Sequence, residues 1–252
     1  ARSSNWKEGY GYTVATEMYS AGIDRLTHQP LSFSVSETTE GVHIHIIDAE
    51  LMGKGEKEKK DLYIEGVQNN GIINHYEYII NSEGTIEIRH VLKPEGKMPL
   101  WFPRIGLTLT VSDALDQVKW YGRGPQENYP DRKTGYPTGI YASTVQAMYE
   151  PYLMPQDYGL RTDVRWLQLT TDKGIGLQFK MNEWFNFNIY PYSTDNLTKA
   201  MYTYQLQKQK GMTLNLDYAT TGVGCTARGV FGAYKAMPQE YRRTISIKPM
   251  MK

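Results

Sequence analysis

Apolar and polar residues alternate in twos along most of this chain, the spacing that sends successive side chains to opposite faces of an extended backbone. Leu31, Phe33 and Val35 share one side of a run whose other side is Ser32, Ser34 and Ser36. Val42, Ile44 and Ile46 alternate with His43 and His45, and Ile86 and Ile88 alternate with Glu87 and Arg89 ahead of His90. The pattern returns at Leu107, Leu109 and Val111, at Val164, Trp166 and Leu167 to Leu169, and at Ile175, Leu177 and Phe179. Phe185, Phe187 and Ile189, then Met212, Leu214 and Leu216, then Ile245 and Ile247 complete it. Each run reads as a half-buried strand. Asn69-Asn70-Gly71, Ser82-Glu83-Gly84, Asp172-Lys173-Gly174 and Lys210-Gly211 read as hairpin turns, which makes neighbouring strands antiparallel. Only Ser193 to Lys208 has room for a helical turn, with Ser193 or Thr194 as its N-cap. The predicted class is all-β, a large antiparallel β-sandwich of two packed sheets. No linker composition interrupts it, so residues 1–252 are read as a single domain.

Charge changes the picture by exclusion. Twenty-eight basic against 27 acidic residues give a net charge of +1, too little to hold a nucleic acid or an anionic membrane, and neither is expected as a partner. No stretch approaches the roughly 18 apolar residues of a membrane-spanning helix. Ala1 to Trp6 lacks the charged-then-apolar pattern of a signal peptide. The lone Cys225 can form no internal disulfide. Localisation stays open between cytoplasm and periplasm. The mixed charges of Lys54 to Asp61 suit a solvated hairpin tip. The start at Ala1 rather than Met suggests a processed product or a piece of something larger.

Candidate chemistry is sparse. His43 and His45 project from one face of one strand, a two-ligand start for zinc, but no cluster in sequence supplies the rest, and a structural role is expected. His75 and His90 lie apart from them and raise the alternative of acid and base in a sugar mutarotase. Gly122-Arg123-Gly124-Pro125 is a sharp loop rather than a phosphate turn. It opens the most polar stretch of the chain, through Gln126, Glu127, Asn128, Tyr129, Pro130, Asp131 and Arg132. Glu127 and Asp131 suit either a glycosidic acid pair or an arginine–carboxylate network holding the loop; the network is favoured. A second dense region runs from Pro155 to Trp166, where Asp157 and Gly159 feed a strand. Its polar face would carry Arg161, Asp163 and Arg165, with Thr162, Val164 and Trp166 opposite. Such a face lines a groove or a domain interface, or meets solvent.

Trp120 through Arg132, then Pro155 to Arg161 and Asp163-Val164-Arg165-Trp166, resemble the C-terminal domain of the large β-galactosidases of glycoside hydrolase family 2. Phe102-Pro103-Arg104-Ile105-Gly106, Tyr192-Ser193-Thr194 through Leu197 and Ala200, and Asp217 with Gly222-Val223-Gly224 follow the same order. The resemblance implies a galactose-mutarotase-like supersandwich, the last domain of an enzyme hydrolysing terminal β-D-galactosides such as lactose. It implies catalytic glutamates on a separate (β/α)8 barrel, so none is expected here, and no cofactor either, the family's magnesium and sodium lying outside this domain. The implied partners are the catalytic barrel domain or chain and the galactoside. The family places a Trp shortly after the Gly-x-Gly turn. Here Gly222 to Phe231 holds none, which leaves Arg228 and Phe231 as the expected sugar-site rim. Tyr202 stands where the family pattern has His. A stand-alone galactose-binding module, the small subunit of a split β-galactosidase, and an aldose epimerase remain the alternatives.

Overall fold

The computed structural model describes Met18 and residues 21–53, 70–224 and 229–251. Chain contacts divide the described residues into two compact units, one holding Pro103–Ala236 and the residues from Ser246 on, the other those from Met18 to Phe102 with Met237–Ile245. The architecture is all-β, and every strand pair for which a register is defined is antiparallel.

In the unit up to Phe102, β1 (Thr27–Thr38), β2 (Gly41–Leu51), β3 (Gly71–Ile80) and β4 (Ile86–Glu95) form a meander in chain order. The Ser82-Glu83-Gly84 turn forms as the sequence predicts. Asn81 Oδ1 accepts the amides of Glu83 (3.0 Å) and Thr85 (2.9 Å), and Gly84 takes the left-handed φ of 75° that closes it. β1 is the outermost described strand, and a bulge at Pro30/Ser32 matches a residue with no N–H to give. Its predicted buried face is instead open. Leu31, Phe33 and Val35 are 48%, 69% and 53% exposed, because an outermost strand has a neighbour on one side only. Asn69 and Lys54 to Asp61 lie outside the described residues.

The other unit holds β5 (Arg104–Val111), β6 (Gln117–Arg123), β7 (Thr138–Thr144), β8 (Arg161–Thr170), β9 (Gly176–Tyr190), a short helix α1 (Thr194–Lys199) and β10 (Met212–Thr220). They pair in the order β5, β10, β9, β8, β6, β7. The last strand, β11 (Tyr241–Met250), is divided between the units at Ile245/Ser246. The Asp172-Lys173-Gly174 turn joins β8 to β9 as expected, with Gly174 at φ 79° and open space around its α-carbon. Lys210-Gly211 is no hairpin turn, however. β9 ends at Tyr190, and the chain passes through α1 and a 3-10 turn at Thr203–Gln205 before Gly211 leads into β10. Ser193 does cap α1, its hydroxyl accepting the Asn196 amide at 3.0 Å.

β10 explains where the core sits. Met212, Leu214 and Leu216 are 3% exposed or less on one face, and Thr213, Asn215 and Asp217 are 6% or less on the other. A strand hidden on both faces lies between packed layers, the arrangement of a sandwich. Trp120, Val164, Leu167, Leu169, Phe185 and Phe187 are likewise buried, each large side chain contributing about 1.5–3 kcal/mol on leaving water. A second cluster packs Tyr158, Tyr190 and Leu197 with Tyr149, Tyr152, Tyr192 and Leu206.

Candidate functional site

The two polar segments singled out in the sequence converge on Glu127. Its carboxylate accepts hydrogen bonds from Arg132 Nη2 (2.7 Å), the Gly159 amide (2.9 Å), the Tyr129 hydroxyl (3.2 Å) and the Tyr152 hydroxyl. Burial and then the Glu127 hydrogen bond push the Tyr152 phenol up to about 12, so it stays a donor. Asn128 bridges the same two segments. Its amide donates to the Leu160 carbonyl (2.8 Å), its Nδ2 donates to Gln126 O (3.0 Å), and its Oδ1 accepts the amide and hydroxyl of Thr162. The residue is fully buried, so these partners replace the water it would otherwise bind.

Arg161 is buried too, donating to Pro125 O (3.0 Å) and Gly159 O (2.9 Å) with its guanidinium 5.3 Å from the Trp120 ring. Burial, opposed by Glu127, lowers its pKa to about 10. Asp163 stands at a left-handed φ of 55° where the β8/β9 register shifts, and the predicted alternation of Arg161, Asp163 and Arg165 on one face breaks there. The kink brings Asp163 to Arg123 Nε (2.6 Å) and Lys133 Nζ (2.9 Å). Burial would raise this carboxyl, but those two cations outweigh it and hold it below its ordinary value. Arg165 instead lies over Trp184 (4.1 Å) and Tyr121 (5.1 Å).

Asp131 belongs to a different contact. Its carboxylate accepts the amides of Val223 (3.1 Å) and Gly224 (2.7 Å), and a side chain at Gly222 would start 2.3 Å from its Cγ. A loop more than ninety residues away is thus fastened to the first polar segment. That loop leads to Arg228, which lies outside the described residues; Phe231 beyond it is 70% exposed.

One part of the site escaped the sequence reading. Asp157, expected in the polar loop network or a domain interface, joins a polar layer whose other members the two segments do not contain: Arg104 on β5, Asn188 on β9 and Asn215 and Asp217 on β10. Arg104 Nη2 donates to Asp217 (3.1 Å) and Asp157 (3.2 Å), Asn188 Nδ2 donates to Asp157 (2.9 Å), and Asn215 Nδ2 donates to Asn188 (2.8 Å). Burial raises Asp217 to about 6 against the pull of Arg104.

A family of proteins described as the β-galactosidase small chain matches residues 5–247. The chain belongs to the β-galactosidase small-chain family. It is 38% identical to a β-galactosidase of Priestia megaterium over 147 residues, covering 58% of this chain and 14% of that protein. With a Vibrio cholerae β-galactosidase it shares 31% identity over 207 residues, 82% of this chain and 18% of the other. The matched residues therefore span less than a fifth of the length of these relatives. Among solved structures, an aldose epimerase homologue from C. elegans overlays 87% of this chain and 69% of its own at 11% identity and a TM-score of 0.43.

The histidines of this small chain separate into two groups. His90 is 1% exposed, bonds Asn74 (3.1 Å) and stacks on Tyr76, and burial then the nearby His75 lower its pKa to about 4. Asn74 in turn donates to Asp48 (2.8 Å). His43 and His45 share the opposite face of the sheet, where folding brings Glu77 to them.

Proposed function

We propose that this chain is the non-catalytic C-terminal part of a β-galactosidase acting on terminal β-D-galactosides such as lactose, docking on the catalytic barrel and shaping the rim of the sugar site. The observation that supports this is the commitment of all four carboxylates in the two polar segments. Glu127 serves four donors, Asp131 two amides, Asp157 Arg104 and Asn188, and Asp163 Arg123 and Lys133. Glycoside hydrolysis needs one carboxyl free to deliver a proton and another facing the sugar. Carboxylates so engaged act as anchors, and Arg228 and Phe231, which follow the Asp131-fastened loop in the sequence, supply the rim.

The test is turnover of nitrophenyl β-galactoside by the pure chain, alone and mixed with a catalytic chain of the same family lacking this part. No turnover alone and activity on mixing are expected. Turnover by the chain alone, lost in a Glu127 variant, would defeat the reading. A second reading, a galactose-binding module, is favoured by Tyr202 and Tyr204, stacked at 5.5 Å and 56% and 79% exposed, rings that suit a sugar face. Selective saturation of galactose over glucose in ligand-observed NMR of the isolated chain, lost in Tyr204→Ala, would support it.

A further inference from the structure

We infer that His43, His45 and Glu77 form a zinc site on the face of the β1–β4 sheet opposite His90. His43 and His45 are two apart on β2, and Glu77 on β3 is the direct cross-strand partner of His45. Their ligand atoms lie within 4.8 Å of one another, with His43 Nδ1 at 3.6 Å and His45 Nε2 at 4.0 Å from the same oxygen, Glu77 Oε1. A tetrahedral zinc ion with bonds of about 2.0–2.1 Å sets its ligands about 3.3 Å apart, so closure needs side-chain shifts of about 1 Å or less.

Two features distinguish this cluster from an ordinary ion pair. Neither imidazole closes a hydrogen bond on Glu77, whereas in the same sheet His28 and Glu50 do so at 2.8 Å. The outer contacts also have the arrangement that orients metal ligands. Arg89 Nη1 holds the other Glu77 oxygen at 3.0 Å, leaving Oε1 to face the histidines. His43 Nε2 is buried without a hydrogen-bond partner, and the Glu40 carboxylate 3.9 Å away is near enough to accept a hydrogen bond from its N–H, after a small shift, when Nδ1 binds metal. Two imidazoles and one carboxylate suit zinc rather than calcium or magnesium, which prefer all-oxygen shells. The side chain of His45 is 51% exposed, so a fourth position opens to water. The bound ion would clamp β2 to β3.

Calorimetric titration of the chain with zinc chloride in a non-chelating buffer tests this, with cobalt(II) absorption reporting tetrahedral geometry. One zinc per chain is expected, weakened by about tenfold or more in His45→Ala and in Glu77→Gln and unchanged in His28→Ala. Circular dichroism verifies folding, and Glu77→Gln, which keeps the shape of the side chain, serves if His45→Ala fails to fold. No binding at about 100 µM zinc, or binding that survives both substitutions, would overturn the assignment.

Discussion

Replacing Glu127 tests whether the polar segments are held by this one carboxylate. In Glu127→Gln the amide oxygen can still accept from the buried Tyr129 hydroxyl and Gly159 amide, while its NH2 turns toward Arg132 and Tyr152. The bonds that survive fall from charge-assisted to neutral, about 1 kcal/mol each. The Arg132 side chain is 46% exposed and rehydrates, so its ion pair adds little. The Tyr152 hydroxyl loses its acceptor, for about 1 kcal/mol more, and the sum is about 3 kcal/mol. Glu127→Ala goes further, stranding two buried donors and leaving a cavity, for about 5 kcal/mol. Urea titration gives the midpoints, and calorimetry should show a fall of about 6–12 °C for the Gln variant. Asp195→Ala, whose carboxylate is 68% exposed beside Lys199, is the control and should cost under about 1 kcal/mol. A loss for Glu127→Ala no larger than the control would refute the reasoning.

Three further outcomes follow from the same structure. Since burial holds His90 at about 4, below the 6.5 of the unfolded chain, its stabilising share is full above pH 6.5 and is lost as the pH falls through 4. Urea midpoints of the wild type and His90→Gln across that window should differ in slope by an amount integrating to about 3 kcal/mol, and parallel curves would contradict it. Asp131→Ala and Gly222→Ala should both speed hydrogen exchange at the Val223 and Gly224 amides, with unchanged protection refuting the fastening role. Asn215→Leu should cost about 1–3 kcal/mol by urea titration despite adding apolar surface, because buried Asn188 and Tyr190 each lose a hydrogen bond and Thr108 loses its acceptor; a gain in stability would rule out that role for the layer.

Period-two alternation made most of the strands legible, though not β3, β6 or β7, and glycines beside short polar residues located the turns at Gly84 and Gly174. The same alternation misled about which faces meet water. Thr213, Asn215 and Asp217 alternate with Met212, Leu214 and Leu216 just as a solvent-facing row would, yet both rows are buried. Alternation reports that the two faces differ in polarity, and a polar face can be satisfied by a layer of arginine and amides as well as by water. Conversely, Leu31, Phe33 and Val35 carry an apolar signature on an outermost strand. Asp163 broke the pattern through a left-handed backbone that its residue type alone does not announce. Glu77 escaped notice as a partner of His45 because strand register, set far along the chain, decides which side chains stand opposite.

The Gly174 turn offers a practical handle. It stands in open space just before β9, whereas Asn188 of the polar layer stands near the other end of that strand. The separation is roughly 45 Å of extended chain at about 3.3 Å per residue. A fluorophore attached at Lys173, or a short peptide tag inserted there, would therefore report when this chain is captured by another without disturbing the buried anchors that hold the polar segments in place.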